Sequence, residues 1–121
     1  MKLILIVLMA CFSLTLKAAT TPEEAYSLAQ AGKAVIVDVR EAEEVRQGMI
    51  KDAKWFPMSK MTADKEWKKD FLKLVDGKKI FLYCRTGNRS GKVQTILKEN
   101  GLHSENLGGF ETLKDQLPTD Q

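Results

Sequence analysis

A lone cysteine followed closely by two arginines is the group of residues in this chain best suited to chemistry. Cys84 comes directly after residues 79–83, a segment that is apolar apart from its first residue. The six residues that follow it are Arg85, Thr86, Gly87, Asn88, Arg89 and Ser90. Fixed positive charges beside a sulfur stabilise its thiolate, and the thiolate is the form that attacks an electrophile. The pattern therefore predicts a nucleophilic cysteine that carries a covalent intermediate.

The position of this cysteine between two predicted elements strengthens that prediction. Residues 79–83 predict a buried strand and residues 90–100 a helix, so residues 84–89 are predicted to form a six-residue turn into a helix N-terminus. Backbone N–H groups and the helix dipole favour negative charge there, and Gly87 lets the turn curl inward. Such surroundings lower a cysteine pKa from about 8.5 to between roughly 3.5 and 7.5. Ser90 is expected to cap the helix and to donate to a bound anion.

The rest of the chain alternates between strand-like and helix-like segments. Residues 34–37 form a β-branched run without alternation, which is typical of a strand buried on both faces of a parallel sheet. Lesser strands are predicted at residues 54–57 and 105–107, and helices after Thr21, at residues 41–47, at residues 64–75 and after Gly109. This alternation predicts an α/β fold with a mainly parallel sheet.

The first 18 residues do not have the pattern of a folded domain. Lys2 precedes an almost unbroken apolar stretch at residues 3–16, and Ala18 supplies the small residue expected at a cleavage site. This predicts an export signal at residues 1–18, a domain at residues 19–121 and a periplasmic mature protein. A retained anchor is less favoured because the apolar stretch is too short to span a membrane.

Composition limits what the remaining domain can do. About 100 residues suit one core and one domain. Once the signal is removed, Cys84 is the sole cysteine, so an internal disulfide is not expected. The less favoured alternative is a lipoprotein signal, which would be cut before Cys11 and would keep that residue. His103 has no second ligand at metal-binding spacing, and neither a metal nor a cofactor is expected. The formal charge of +3 falls to about +1 without Lys2 and Lys17, which argues against binding nucleic acid or a membrane.

The motifs resemble those of the rhodanese family. Residues 38–44 and 48–53 are similar to the family's first signature, D-V-R-x-x-x-E followed by G-H-I-P-G-A, apart from Met49, Lys51 and Asp52. Residues 84–90 resemble its active-site loop, C-R-x-G-x-R-S, and residues 108–109 resemble its closing glycine pair. The resemblance covers nearly the whole of the predicted domain. With an export signal and so small a size, the chain most resembles the periplasmic phage-shock rhodaneses of bacteria.

That resemblance implies a three-layer rhodanese-like domain and sulfur transfer without a cofactor. Cys84 would take the outer sulfur of thiosulfate as a persulfide and pass it to cyanide or a thiol. The small anionic donor is expected to bind to Arg85, Thr86, Gly87, Asn88, Arg89 and Ser90. The expected partners are this donor and a thiophilic acceptor, and the protein is expected to be a monomer. Arg40 and Glu44 are expected to belong to a structural ion-pair network.

Three alternative activities differ in how well they fit the loop. A cysteine phosphatase has five residues between its cysteine and arginine, whereas four separate Cys84 from Arg89, which leaves the loop one residue short for phosphate. Loops that favour 3-mercaptopyruvate resemble C-G-x-G-V-T, with neutral residues in place of Arg85 and Arg89, so thiosulfate is the expected donor. A non-enzymatic carrier that relays sulfur between proteins would use the same residues, and the sequence leaves that alternative open.

Overall fold

Short helices and short strands alternate along the chain. The computed structural model describes residues 19–120, and the predicted export signal at residues 1–18 and the alternative site at Cys11 lie outside the described residues. The helices are α1 (Pro22–Gln30), α2 (Ala42–Val45), α3 (Met58–Ala63), α4 (Trp67–Val75), α5 (Asn88–Glu99) and α6 (Phe110–Leu113). The strands are β1 (Ala34–Asp38), β2 (Met49–Ile50), β3 (Lys54–Trp55), β4 (Lys79–Cys84), β5 (Ser104–Gly109) and β6 (Thr119–Asp120). Among the described residues, none of these helices has the length and apolar composition of a membrane span.

Four parallel strands form the central sheet, in the order β3-β1-β4-β5. β1 pairs with β4 along its full length, from Ala34 opposite Lys79 to Asp38 opposite Tyr83. All five residues of β1 are buried, which explains why residues 34–37 are an unbroken apolar run rather than an alternating one. β2 and β6 form a separate antiparallel pair. The predicted α/β fold with a mainly parallel sheet is confirmed.

Each face of the central sheet is covered by helices around a core of its own. Val37 of β1 belongs to one core, together with Phe71 of α4 and Val93 of α5. Its neighbour Ile36 belongs to the other core, together with Ala25 of α1 and residues of α6. Successive side chains of a strand point to opposite faces, so β1 supplies both cores in turn. The implied three-layer arrangement is therefore also confirmed.

The segment after β3 contains two helices where the sequence predicts one. The predicted helix at residues 64–75 begins only at Trp67, and α3 precedes it. Asp64 lies between the two helices in an extended conformation, and its Oδ1 accepts a hydrogen bond from the N–H of Glu66 at 2.9 Å. Such a local bond to the backbone ends one helix and prepares the next. α3 has too few residues for a helical period to show in the sequence.

The carboxyl ends of β1 and β4 lie side by side at one edge of the sheet. Asp38, the last residue of β1, pairs with Tyr83, and Cys84 is the next residue along β4. Ligands of open α/β sheets bind beyond this edge, where the strands lead into helices. The predicted nucleophile therefore lies at the edge of the sheet where ligands bind.

Candidate active site

The turn that follows Cys84 is shorter than the sequence predicts. Cys84 is the last residue of β4 and α5 begins at Asn88, so residues 85–87 alone connect the strand to the helix. Gly87 is the N-cap residue of α5, with a φ of 102° that L side chains rarely adopt. Ser90 consequently lies within the first turn of the helix, and the prediction that it caps α5 is wrong. We refer to residues 84–90 as the cysteine loop.

The Cys84 sulfur lies among hydrogen-bond donors. Its Sγ accepts a hydrogen bond from the N–H of Gly87 at 3.0 Å and one from Ser90 Oγ at 3.3 Å. The residue is 1% exposed, so few other partners can reach it. Burial raises the pKa of the thiol, but the hydrogen bonds from the Ser90 hydroxyl and from the backbone of Ser90, Gly87 and Thr86 outweigh burial. The pKa of Cys84 is therefore lower than the ordinary value.

The two arginines of the cysteine loop differ in their surroundings. Arg89 forms two parallel hydrogen bonds with the Glu44 carboxylate, from Nη1 to Oε1 at 2.5 Å and from Nη2 to Oε2 at 2.7 Å. These bonds lower the pKa of Glu44 from 4.5 to about 2 and raise the pKa of Arg89. Arg85 is exposed and forms no ion pair within residues 19–120. The guanidinium of Arg85 is thus available to an anion, whereas the charge of Arg89 is balanced by Glu44.

A buried ion pair supports the sheet edge beside the cysteine loop. Arg40 Nη2 lies 2.7 Å from Asp38 Oδ2 and donates to the Gly48 carbonyl at 2.6 Å. Both charged side chains are buried, and the guanidinium carbon lies 4.2 Å from the centroid of the Phe110 ring. These contacts link the end of β1 to residue 48, which directly precedes β2, and to α6. Arg40 thus has the structural role that the sequence predicts.

Asn106 of β5 is hydrogen-bonded to the cysteine loop, a role that the sequence does not predict. Its Oδ1 accepts hydrogen bonds from Ser90 Oγ at 2.8 Å and from the N–H of Gly108 at 2.9 Å. Its Nδ2 donates to the carbonyl of Gly87 at 2.9 Å. The loop residues that it contacts lie 16 and 19 positions earlier in the chain. Only the pairing of β5 with β4 brings them together, so no local pattern reveals this role.

Gly109 at the end of β5 and Gly87 in the cysteine loop are both glycines at a close backbone contact. A Cβ atom on Gly109 would lie 2.6 Å from Thr86 Cα and closer still to the Arg85 carbonyl oxygen. A Cβ on Gly87 would lie 3.2 Å from Gly108 Cα. The backbone of β5 therefore approaches the cysteine loop so closely that side chains are excluded at this contact.

The remaining predicted binding residues lie at the surface of the loop. Thr86 and Asn88 are exposed. A groove of about 310 Å³ borders the loop at Arg85 and is also lined by Phe110 and Lys114. A separate cavity of about 450 Å³, between α5 and the start of β5, contains His103 and no residue of the loop. Within residues 19–120, no three side chains that could hold a metal ion lie together.

Comparison with known proteins relates this arrangement to one family. Residues 21–115 match the family model described as "Rhodanese-like domain". A Schizosaccharomyces pombe protein named "Putative thiosulfate sulfurtransferase, mitochondrial" is 34% identical over 83 residues, which cover 63% of this chain and 57% of that protein. The chain spans about three fifths of the length of the curated relatives that it matches.

Two solved structures show the same fold in proteins of different size. A rhodanese-related protein from Thermoplasma volcanium has a TM-score of 0.67 and 25% identity, and the match covers 84% of this chain and 96% of that chain. A variant of EanB, described as a complex with ergothioneine covalently linked with a persulfide cysteine, has a TM-score of 0.68 and 27% identity. That match covers 85% of this chain but 28% of EanB. The fold therefore occurs both alone and as part of a longer chain.

Proposed function

This chain belongs to the family of rhodanese-like domains, and from that premise we propose that it is a thiosulfate sulfurtransferase that carries sulfur as a persulfide on Cys84. The observation that carries the proposal is the position of the sulfur, which accepts hydrogen bonds from Gly87 and Ser90 at the carboxyl edge of the sheet. Donors aimed at that point stabilise the negative charge on which both steps depend. The name of the S. pombe relative supports thiosulfate as the donor.

In the first step, the Cys84 thiolate attacks the outer sulfur of thiosulfate. A sulfur–sulfur bond forms between Sγ and that atom, and the bond between the two sulfur atoms of thiosulfate breaks. Sulfite leaves with the electron pair of the broken bond, and the negative charge of Cys84 moves to the outer sulfur of the persulfide. No proton is transferred, so a thiolate already formed at neutral pH is the main requirement.

In the second step, a thiophilic acceptor removes the outer sulfur. Cyanide attacks that atom, the persulfide bond breaks, and thiocyanate leaves while the Cys84 thiolate is restored. A thiolate acceptor reacts in the same way and departs as a persulfide. The two steps replace one difficult displacement with two easier ones, which is the advantage of covalent catalysis.

Arg85 is the residue best placed to attract the donor. Its guanidinium is exposed and has no carboxylate partner in the described part of the chain, whereas Arg89 is occupied by Glu44. A compact dianion gains from a charge-assisted contact with such a group. Thr86 and Asn88 supply further polar groups at the surface, and the groove towards Lys114 offers room for an acceptor larger than cyanide.

The proposal is tested by looking for the covalent intermediate. Protein treated with thiosulfate should gain the mass of one sulfur atom on the peptide that contains Cys84, and cyanide should remove it. Cys84→Ser, which keeps a polar group of similar size, should gain no mass. Sulfur uptake by the Cys84→Ser variant would show that the nucleophile is assigned wrongly.

A persulfide carrier without turnover of its own is the second candidate. It is favoured by the observation that the match to EanB covers 28% of that longer chain, so that this fold occurs as one part of a larger protein. Incubating the purified protein with thiosulfate and cyanide distinguishes the enzyme from the carrier. Continued thiocyanate production over many equivalents per Cys84 supports the enzyme. Protein that produces almost no thiocyanate from thiosulfate, but releases one equivalent to cyanide once another protein's persulfide has loaded Cys84, supports the carrier.

A further inference from the structure

The hydroxyl group of Ser90 lies near three acceptors. Its Oγ is 2.8 Å from Asn106 Oδ1, 3.1 Å from the Gly87 carbonyl oxygen and 3.3 Å from Cys84 Sγ. A serine hydroxyl has one proton to donate. Ser90 is also completely buried, so water does not supply an alternative partner. The three acceptors therefore compete for a single hydrogen bond.

The backbone fixes which way the Asn106 amide faces. The N–H of Gly108 can only donate, and it lies 2.9 Å from one of the two terminal atoms of Asn106. The carbonyl of Gly87 can only accept, and it lies 2.9 Å from the other. The first atom must be Oδ1 and the second Nδ2. Ser90 consequently faces the carbonyl oxygen of Asn106 rather than its NH₂ group.

The Gly87 carbonyl is the acceptor that depends least on Ser90. It already receives hydrogen bonds from Asn106 Nδ2 at 2.9 Å and from the N–H of Gly91 at 3.1 Å. A carbonyl oxygen has two lone pairs, and these two donors occupy both. The competition for the Ser90 proton is therefore chiefly between Asn106 Oδ1 and the Cys84 sulfur.

We propose that Asn106 is a positioning residue, because its side-chain oxygen competes with the Cys84 sulfur for the hydrogen bond from the Ser90 hydroxyl. When the persulfide forms, Ser90 donates this hydrogen bond to Asn106 instead of to Sγ. This inference rests on the proposed function for the identity of the intermediate. The charged thiolate attracts a stronger hydrogen bond than a neutral amide oxygen. In the persulfide the charge lies on the outer sulfur, and Sγ becomes a weak acceptor like a thioether.

Rotation of the Ser90 hydroxyl about its Cβ–Oγ bond is then enough to change its hydrogen-bond partner as the reaction proceeds. With the thiolate present, Ser90 donates to Sγ, and with the persulfide present it donates to Asn106. The buried hydroxyl keeps a partner in both states, which matters because a buried donor without one is costly. Asn106 therefore sets how firmly Ser90 stabilises the thiolate and how readily Ser90 releases Sγ after sulfur is taken up.

The acidity of Cys84 measures this competition directly and does not require turnover. The rate of alkylation by iodoacetamide would be followed against pH in the wild type, Asn106→Ala, Ser90→Ala and the double variant. Asn106→Ala removes the nearer competing acceptor, at 2.8 Å, and frees one lone pair of the Gly87 carbonyl, which lies farther away at 3.1 Å. The competition for the Ser90 proton is therefore weaker, so the thiol pKa should fall and alkylation below the midpoint should become several-fold faster. Ser90→Ala should raise the pKa, and adding Asn106→Ala to it should change nothing further.

Asn106→Asp provides the opposite change and Asn100→Asp its matched control. A carboxylate at position 106 holds the Ser90 proton more firmly than an amide, and its negative charge also disfavours the thiolate, so the thiol pKa should rise. Only the first effect requires Ser90, so the rise should be smaller when Ser90 is absent. Asn100 lies at the far end of α5, where its Nδ2 donates to the Ile96 carbonyl, and its change to Asp should leave the pKa near the wild-type value. Arg85, Arg89 and the Glu44 paired with Arg89 are the same in every variant, so their charges cancel from the comparison.

A structural role for Asn106 alone predicts a different pattern. If Asn106 merely held the loop in shape, Asn106→Ala would raise the thiol pKa, and it would do so equally with and without Ser90. A rise in the thiol pKa of Asn106→Ala overturns the inference, and so does a change that is equal with and without Ser90. If Asn106→Ala does not fold, an equal rise for Asn106→Asp with and without Ser90 overturns it in the same way. A protein that takes up no sulfur from thiosulfate refutes the proposed function instead, and the alkylation series still measures the competition.

Discussion

At the scale of single residues, the two arginines of the cysteine loop differ in whether a carboxylate already balances their charge. Arg85 is exposed and lines the groove beside the loop. Arg89 is joined through two hydrogen bonds to Glu44, so its charge supports the connection between α2 and α5. Two identical side chains in one loop should therefore respond to substitution in different ways.

Arg85→Gln should weaken the use of thiosulfate without weakening the fold. Charge-assisted hydrogen bonds contribute about 1.5 to 3 kcal/mol, so kcat/KM for thiosulfate should fall by roughly tenfold to a hundredfold. The fall should be smaller for 3-mercaptopyruvate, which carries one carboxylate. Steady-state kinetics with both donors would measure this. Equal losses for the two donors would contradict the preference for thiosulfate.

Arg89→Gln is the companion variant in the same loop. It leaves the Glu44 carboxylate without its partner, so the free energy of unfolding should decrease. Urea denaturation of both variants would separate the two roles. A loss of stability in Arg85→Gln as large as that in Arg89→Gln would show that the arginines are equivalent.

At the scale of elements, the site depends on how closely the end of β5 approaches the turn between β4 and α5. Gly109 lies directly against the backbone of Arg85 and Thr86. Asn106, from the same strand, is hydrogen-bonded to Gly87, the N-cap residue of α5, and to Ser90 in its first turn. β5 is thus part of the candidate active site, where it holds the cysteine loop in place.

Gly109→Ala should destabilise the protein and displace the cysteine loop. The added Cβ would lie 2.6 Å from Thr86 Cα, and neither backbone can yield without moving the loop. Gly91→Ala is a suitable control because a Cβ there would meet nothing closer than Asn106 Nδ2 at 3.6 Å. Because alanine favours a helix more than glycine does, Gly91→Ala should even stabilise the protein by about 0.5 to 1 kcal/mol. Thermal unfolding and thiocyanate production would be compared, and similar losses in both variants would refute the steric explanation.

The sequence predicts the elements of this site better than the contacts between them. The unbroken apolar runs of β1 and β4 and the strand-to-helix position of Cys84 follow from local patterns. The partnership of Glu44 with Arg89 and the role of Asn106 do not, because they join residues far apart in the chain. The start of α5 at Asn88 does not follow from local patterns either, because a glycine permits the left-handed conformation of residue 87 but does not require it.

At the scale of the whole molecule, one ion pair ties distant parts of the chain together and should make stability depend on pH. Glu44 and Arg89 are 45 positions apart and connect α2 to α5. The pKa of Glu44 is about 2 in the folded protein against 4.5 ordinarily. Because the folded-state value is the lower one, the pair stabilises the protein above pH 4.5 and loses this effect as the pH falls from 4.5 towards 2.

Glu44→Gln should reveal this dependence. At neutral pH its free energy of unfolding should be lower than that of the wild type by about 1 to 3 kcal/mol, and the difference should vanish near pH 2. Urea denaturation across the acidic range would measure it. Glu105→Gln, which breaks the more exposed contact with Lys79, serves as a control with a smaller expected effect. A difference that stays constant down to pH 2 would rule out the ion pair as its source.

We further propose that the protein is exported, on the evidence of residues 1–18 alone. The N-terminal sequence of protein from the producing cell should begin near Ala19. An intact Met1 on cytoplasmic protein would refute export, and a lipid on Cys11 would favour the lipoprotein alternative.

The distance along the chain between the partners around Cys84 also affects how the protein folds. Two contacts that hold the cysteine loop join residues 45 and 16 positions apart, and contacts of long sequence separation are slow to form. Because Cys84 is buried in the folded core, its thiol is exposed in a newly made chain until that core has formed. During that interval the thiol is open to exchange with disulfides of other molecules, which an exported protein would meet at once. The yield of active protein should then depend on how fast the chain folds as well as on how stable the finished fold is.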